Sequence, residues 1–284
     1  YGIRDNIPSL NAKQLEEFHA QNFVGPRIIF VVSGSFDEGQ VNSATQKSGT
    51  AVASEARGVA PNSEKPVFTP VVMNQRDDEM YNLNVASGFR VPEFGGRDFF
   101  ALKFIEKVVG NYNAEHDGNA HLNSPHMSMN YSHQVWGQRV GVTLSNTKYE
   151  AFSDFGIFTF FVHGNDFWAR DLFLGNQFIV STFANSLEMA NVFRARAEWF
   201  NELLTNHSSK KLNEDIAKEL FYAGRRITRT EWANRFSNLA EPCALKKVIK
   251  EHFYDKEVGV AMWGVGHNMA QYSYYIKKLH SSTK

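Results

Sequence analysis

Five side chains between positions 116 and 133 are of types that bind transition metals: His116, Asp117, His121, His126 and His133. Imidazoles and carboxylates are common zinc ligands. Their spacings follow no fixed ligand pattern, and the segment around them is rich in Asn and Ser, which is typical of a loop. We therefore interpret the cluster as solvated polar residues or an interface loop, and we predict neither a metal site nor a cofactor on this chain.

The single cysteine, Cys243, is a second candidate for chemistry, as a nucleophile. It follows Pro242 near the start of a predicted helix, and an adjacent histidine commonly activates a nucleophilic cysteine. No histidine is local to it, so we predict a buried structural cysteine. One cysteine also excludes a disulfide framework and a cysteine-rich zinc site, and it favours a reducing compartment.

The doublet Arg225–Arg226 is a third candidate, as a ligand-binding pair. It lies at the predicted C-terminus of a helix, where cationic side chains stabilise exposed backbone carbonyls. An acidic residue, Glu231, is close enough in sequence to pair with it. We therefore predict a structural role for both arginines.

The composition excludes several classes of partner. Thirty basic and thirty acidic residues balance in a chain of 284 residues, so no global field attracts nucleic acid or an anionic membrane. No apolar run approaches the roughly 20 residues of a spanning helix. Aromatic residues make up 14% of the chain, and we expect some of them to cover protein–protein contacts. The first residues of the chain show neither a secretory signal nor a basic amphipathic presequence. The chain begins at Tyr1 rather than Met, so we expect that residues upstream are missing or removed.

The opening residues predict a helix and a strand. Asn11, with Gln14 three positions later, fits a capping box for a short helix ending near His19. After the Gly25–Arg27 turn, the β-branched and aromatic run Ile28–Val32 is typical of a strand buried on both faces. These elements are too few to enclose a core, so they need a partner outside this sequence.

A linker and a complete α+β unit follow. The stretch Thr45–Thr69 is rich in Ser, Ala, Gly, Pro and charge, which predicts an exposed linker, or alternatively a surface loop of one domain. The polar segment Asn111–Ser132 is predicted as loop. Consecutive strand pairs, with helices in runs, indicate an α+β fold. The predicted strands are Tyr81–Phe89, Arg139–Tyr149, Phe155–Val162 and Val258–Trp263, and the helices are Asp98–Val109, a long one after Asp166, Leu187–Leu204, Leu212–Tyr222, Arg229–Leu239 and Glu241–His252.

Five spaced segments of this chain resemble segments of one known family and occur in the same order as they do there. They are Tyr1–Leu10, Gly25–Gly34, His121–Pro125, Ser153–Phe158 and Tyr222–Asp255. Together they resemble the M16 metallopeptidase-like family, and within it the β-type subunits, which are processing peptidase β and the core 1 subunit of ubiquinol–cytochrome c reductase. The last segment is similar to the family's Y-G-R-R-I-P-x-x-E-W-x-x-R run. We predict structural roles for the signature positions Gly25, Pro26, Arg27, Asp154, Gly156, Arg225, Arg226, Trp232, Tyr254 and Asp255.

The resemblance implies an architecture. Members of this family have two homologous α+β halves that face each other like a clamshell, each with a mainly antiparallel sheet and helices packed on one face. Residues 1–48 would then be the terminal elements of a first half whose remainder is absent from this chain. Residues 49–75 would be a linker, and residues 76–284 would be the second half.

The resemblance also implies where catalysis would lie. Active members carry an H-x-x-E-H zinc motif in the first half, and none of the ten histidines here has that spacing with a glutamate between. We therefore predict no catalytic residue, with zinc present only if the absent first half binds it. Active second halves also supply an Arg and a Tyr that orient substrate. Alignment from Asp154 places Trp136 and Thr143 at those positions, and neither could make the expected contacts.

The function that the resemblance implies is structural. The chain would be a non-catalytic core subunit of mitochondrial ubiquinol–cytochrome c reductase, peripheral on the matrix side of the inner membrane. Its partners would be a first M16-like half, a core 2 or processing-peptidase-α-like subunit, and subunits such as cytochrome b and c1. The alternatives are the second half of processing peptidase β, with zinc on the missing half, and a soluble two-chain M16 peptidase.

Overall fold

The computed structural model describes residues 4–49, 64–117, 131–136, 141–165, 167, 169–205, 208–239 and 241–265. The chain divides into two compact units, residues 1–65 with 207–226 and residues 66–206 with 227–284. No helix in the described ranges is both long and apolar enough to cross a membrane.

Among the described residues, strands occur only in the second unit, whereas both units contain helices. The described helices are α1 (Ala12–Asn22), α2 (Glu38–Gly49), α3 (Phe99–Val109), α4 (Ala114–Asp117), α5 (Tyr131–Trp136), α6 (Ala169–Ser186), α7 (Met189–Thr205), α8 (Ser209–Ala223), α9 (Arg229–Asn238) and α10 (Pro242–His252). The described strands are β1 (Val72–Arg76), β2 (Asn82–Val91), β3 (Tyr112–Asn113), β4 (Val142–Ala151), β5 (Gly156–Asn165) and β6 (Val258–Gly264).

The first unit is helical in its described residues, and its α1 begins as the sequence predicts. The side chain of Asn11 accepts a hydrogen bond from the backbone N–H of Gln14 at 2.9 Å, and the side chain of Gln14 accepts one from the Asn11 N–H at 3.2 Å. This capping box satisfies two of the N–H groups that a helix start leaves unpaired. Neither α1 nor α2 has a buried residue.

The predicted strand Ile28–Val32 is wrong for the described chain. The run is in no regular element, and Ile29, Phe30 and Val32 are 42%, 63% and 51% exposed. A strand needs a neighbouring strand for its backbone N–H and C=O groups, and every strand among the described residues belongs to the second unit. Without a partner strand, this apolar run therefore forms no strand, and three of its five side chains are exposed.

One mixed sheet organises the second unit. Its described strands lie in the order β1-β6-β2-β5-β4-β3, with β1 parallel to β6 and every other pair antiparallel. Side chains alternate between the two faces, since the strand period is two residues. On β2 the buried positions are Leu83, Val85, Ser87, Phe89 and Val91.

The core lies between that face of the sheet and the helices. Helix α3 packs on β4 and α7, α6 packs on β5 and β2, and α10 packs on α6, α3 and β2. Seven of the eleven residues of α3 are buried, because its apolar side chains recur at helical spacing. The fold is therefore mixed helix and mostly antiparallel sheet, as predicted.

Two other sequence predictions need correction. The predicted linker contains regular structure at both ends, since α2 continues to Gly49 and Val72–Arg76 forms edge strand β1. Residues 50–63 lie outside the described residues. The predicted loop Asn111–Ser132 begins instead with β3 and α4, and its end, Ser132, lies in α5, where its hydroxyl donates to the carbonyl of Gly110 at 2.9 Å.

Candidate functional site

The closing signature stretch builds the junction between α8 and α9. Gly224 ends α8 in the left-handed conformation (φ 66°), which glycine adopts without steric cost. Thr228 then begins α9, and its side chain accepts from the Glu231 N–H at 3.2 Å. Arg225 and Arg226, between these caps, are both exposed. Their position directly after a helix end is the one that a structural role requires.

The predicted partner of these arginines, Glu231, makes an ion pair within its own helix. Its carboxylate lies 2.8 Å from the guanidinium of Arg235, one turn further along α9. The guanidinium of Arg225 donates to the backbone carbonyl of Arg226 at 3.3 Å. The structural assignment of the two arginines stays a prediction.

Trp232 is the centre of an aromatic cluster. Its ring centroid lies 5.9 Å from Phe99, 4.8 Å from Phe100, 6.0 Å from Trp199 and 5.4 Å from Phe236. These rings belong to α3, α7 and α9, so one signature tryptophan joins three helices. Aromatic pairs at such distances stabilise by about 0.5–1.5 kcal/mol beyond the burial of their area.

Asp154 and Gly156 lie at the hairpin between β4 and β5. Asp154 is exposed, whereas Gly156 begins β5 in a buried position. A Cβ on Gly156 would overlap the carbonyl oxygen of Pro92 and come within 2.9 Å of the Tyr149 ring. The hydroxyl of Tyr149 donates to the same Pro92 carbonyl at 2.8 Å. The hairpin therefore has room only for a glycine at position 156.

The run from His252 to Asp255 turns the chain from α10 into β6. Phe253 is 1% exposed and packs edge-on against Phe89 and Phe158, with centroids 5.3 and 4.9 Å apart. Its N–H and that of Tyr254 both donate to the carbonyl of Ile249. Asp255 has φ 58°, a conformation that aspartate tolerates better than most residues.

The signature positions Gly25, Pro26 and Arg27 lie in the first unit. Gly25, Pro26 and Arg27 form a 3₁₀ turn after Val24, with the proline at its start. The guanidinium of Arg27 donates to the side-chain oxygen of Asn22 at 3.2 Å. The contact ties the turn back to the end of α1.

The two degenerate substrate-orienting positions lie in different environments. Trp136, in α5, is 0% exposed, and its ring occupies the space that a side chain on Gly175 of α6 would need. Thr143, in β4, is exposed, and its hydroxyl donates to the backbone carbonyl of His163 at 3.1 Å. One side chain is thus part of the helical core and the other is a strand surface residue.

The structure brings together a group that the sequence did not single out. Nε2 of His252, at the end of α10, lies 2.8 Å from Oδ2 of Asp98, at the start of α3. Both side chains are 15% exposed, and Glu251 lies beside them. The pair is 154 positions apart in sequence, so no local pattern could reveal it.

The structure describes the side chain of Cys243 but not those of the metal-like cluster. Cys243 is exposed, so the prediction of a buried cysteine is wrong. It lies in the first turn of α10, whose buried residues are Leu245, Val248 and Ile249. The side chains of the metal-like cluster lie outside the described residues, namely those of His116, Asp117, His121, His126 and His133.

Two buried side chains have perturbed acidity. Burial raises the pKa of the Tyr149 phenol, and the charges of Glu93, Glu106 and Asp98 raise it further. Burial lowers the pKa of the Arg194 guanidinium, while the charge and hydrogen bond of Glu198 act in the opposite direction.

Comparison with known proteins establishes the class to which this fold belongs. The family model described as "Peptidase M16 inactive domain" matches residues 9–166. This is more than half of the 284 residues. The chain belongs to the M16 peptidase family, as a member of its inactive-domain group.

Similar proteins of two kinds are found within that family. The rat protein "Cytochrome b-c1 complex subunit 1, mitochondrial" is 23% identical over 96% of this chain and 56% of its own length. The fission yeast (Schizosaccharomyces pombe) "Probable mitochondrial-processing peptidase subunit beta" is also 23% identical, over 96% of this chain and 59% of its own length. This chain therefore spans little more than half the length of the relatives it matches.

Solved structures share the fold. A chain of "Complex III2 from Candida albicans, Inz-5 bound" matches 98% of this chain and 64% of its own length, with a TM-score of 0.83 and 19% identity. The crystal structure of the peptidase M16 inactive domain from Pseudomonas fluorescens matches 95% of this chain and 60% of its own length, with a TM-score of 0.76 and 13% identity. At these identities the likeness concerns the fold.

Proposed function

We propose that this chain is a non-catalytic structural core subunit of mitochondrial ubiquinol–cytochrome c reductase, peripheral on the matrix side of the inner membrane. The observation that carries the proposal is the environment of the two substrate-orienting positions, Trp136 and Thr143. Trp136 is fully buried against α6, and the Thr143 hydroxyl already donates to a backbone carbonyl. The tryptophan offers one hydrogen-bond donor and no charge, and the threonine is too short. Neither can therefore make the contacts that an arginine or a tyrosine makes with a peptide.

The first unit provides a surface for the partners that this proposal requires. Large apolar side chains are exposed throughout its opening segment: Ile7, Leu10, Leu15, Phe18, Phe23, Ile29, Phe30, Val32 and Phe36. Exposed apolar surface on this scale is typical of a protein interface. We assign it to a first M16-like half, because the relatives have nearly twice the length of this chain and because Ile28–Val32 lacks a partner strand among the described residues.

The proposed role of this chain involves no catalytic zinc. The sequence contains no H-x-x-E-H motif, so the ligands and the base that such a motif supplies would have to come from a first half. A core 2 or processing-peptidase-α-like subunit, cytochrome b and cytochrome c1 complete the proposed set of partners. Similarity to the rat complex subunit and to a Complex III2 chain supports this choice.

Depletion and a peptidase assay together test the proposal. Depleting the chain from mitochondria of its own cells is expected to reduce assembled ubiquinol–cytochrome c reductase, measured as quinol-dependent cytochrome c reduction and by native gel. The isolated assembly is expected to leave a presequence peptide intact, with or without added zinc. Unchanged reductase after depletion, or metal-dependent cleavage by the assembly, would contradict the proposal.

A second candidate rests on the equal similarity to a processing-peptidase β subunit. In that role the chain would be the second half of a zinc endopeptidase that removes presequences, with the zinc site on the first half. Depletion would then cause unprocessed precursors to accumulate before reductase declines. Precursor length on a denaturing gel, followed over time with reductase activity in the same samples, separates the two candidates.

A further inference from the structure

We infer that Asp98, Glu251 and His252 form a binding site for a divalent transition metal, best suited to Zn²⁺. The ligand atoms that these three side chains offer all lie within 4.8 Å of one another. Nε2 of His252 and Oδ2 of Asp98 are 2.8 Å apart. Two atoms bound to one zinc ion at about 2.0–2.2 Å each lie at a similar or slightly greater separation, so a small side-chain adjustment admits the ion.

The carboxylate of Asp98 is available for this role. Asp98 is the residue before the first turn of α3, where an aspartate side chain normally accepts a bond from the helix N–H groups. Here its side chain makes no such cap and turns toward His252 instead. Helices α3 and α10 pack on each other, so the two residues are held by ordered elements rather than by loops.

The local charge favours a cation. Glu251 and His252 lie in the last turn of α10, where the helix dipole places partial negative charge. The N-terminus of α3 beside Asp98 opposes this with about half a positive charge, but two full carboxylate charges exceed it.

The donor types select the metal. An imidazole nitrogen with two carboxylates matches zinc and similar first-row ions, whereas calcium and magnesium prefer sites made of oxygen alone. Binding replaces the hydrogen bond between Asp98 and His252: the Nε2 lone pair coordinates the ion and Nδ1 carries the ring proton. Glu251 is exposed, which leaves an entry path and room for water as a further ligand.

Zinc titration of the full chain tests the site. Calorimetry and thermal melting with ZnCl₂ are expected to show one binding event in the wild type, with a raised Tm. Glu251→Gln and His252→Asn are each expected to weaken zinc affinity by more than about 10-fold, since even loss of a second-shell partner costs that much. Glu251→Gln changes an exposed residue, so its effect on affinity is separable from any effect on folding.

Control variants distinguish this site from the histidines elsewhere in the chain. Glu257→Gln removes an exposed acid five positions after His252. The double variant His121→Asn/His126→Asn removes two of the four histidines of the metal-like cluster. Both variants are expected to bind zinc like the wild type. The inference is overturned if the wild type shows neither binding heat nor a Tm shift. It is equally overturned if His252→Asn binds normally, or if the double variant alone loses binding. None of these outcomes depends on the proposed function.

Discussion

Replacing Gly156 with alanine is expected to destabilise the second unit, because the hairpin between β4 and β5 has no space for a Cβ. The added carbon would overlap the Pro92 carbonyl oxygen, which is backbone and cannot rotate away, and would press on the Tyr149 ring. Tyr149 is 1% exposed and is hydrogen-bonded to that same carbonyl, so it cannot move without breaking the bond.

The expected loss follows from two opposing effects. Overpacking a well-packed site costs about 1–3 kcal/mol, and an alanine recovers roughly 0.4–1 kcal/mol through the reduced entropy of the unfolded chain. We therefore expect Gly156→Ala to lower the free energy of unfolding by about 1–2 kcal/mol. Gly88→Ala is the matched control, since Gly88 is also a strand glycine and its Cβ would meet only Ile157, at 3.8 Å.

Urea unfolding of the three proteins, followed by tryptophan fluorescence, measures the difference. Four of the five tryptophans lie in the described part of the second unit, at positions 136, 199, 232 and 263, so the signal reports on that unit. We expect Gly88→Ala to match or exceed the wild type. If Gly156→Ala is as stable as the wild type, or if Gly88→Ala loses as much, the steric argument for this signature glycine is wrong.

Three further substitutions test the packing of the second unit. Tyr149→Phe removes the phenol's hydrogen bond to the half-buried Pro92 carbonyl and should cost about 1–3 kcal/mol at neutral pH. Because burial in the fold raises the phenol pKa, wild-type stability should fall as pH rises above the ordinary value of about 10. Urea unfolding at pH 7 to 11 should show that the variant lacks this decline. Arg194→Met removes a charged donor from the carbonyls of Lys107 and Val108 at the end of α3 and should cost about 1.5–3 kcal/mol. Arg76→Met, at an ion pair that is 60% exposed, should lower stability less in the same assay, because exposed pairs contribute little. Gly175→Ala forces a carbon into the ring of Trp136 and should lower Tm with a red-shifted tryptophan emission; an unchanged Tm would show that the ring can move aside.

Most elements of the second unit follow from local pattern. The apolar residues of α3 recur at helical spacing and stop before Gly110, which takes a positive φ of 69° at the helix end. The alternation along β2 places its buried residues on one face. Such features are visible in sequence because each depends on neighbours within a few residues.

Features that depend on distant partners were missed. Strand β1 has the sequence Val-Met-Asn-Gln-Arg with four exposed positions, and it forms only through parallel pairing with β6, nearly 190 residues later. The opposite error occurs at Ile28–Val32, where a strand-like composition finds no partner strand within the described chain. A strand forms only when it pairs with a neighbouring strand. Composition alone therefore misses some strands and predicts others that do not form.

The candidate sites show the same limit. Trp136 was placed by alignment from Asp154, which fixes a position along the chain but not burial, and the structure puts its ring inside the helical layer. The contact between Asp98 and His252 joins residues that share no local motif. The prediction of a buried Cys243 rests on the lack of a local histidine, which argues against a nucleophile but does not say which face of the helix the residue occupies. The structure places it on the exposed face of α10.

Affinity purification tests the central claim most directly. A tagged copy of the full chain, isolated from mitochondria of its own cells in mild detergent, is expected to carry cytochrome b and cytochrome c1 in near-equal amount with itself, identified by mass spectrometry and by their haem spectra. Recovery with a processing-peptidase-α-like subunit, without either cytochrome and with presequence-cleaving activity, would contradict the proposed structural role.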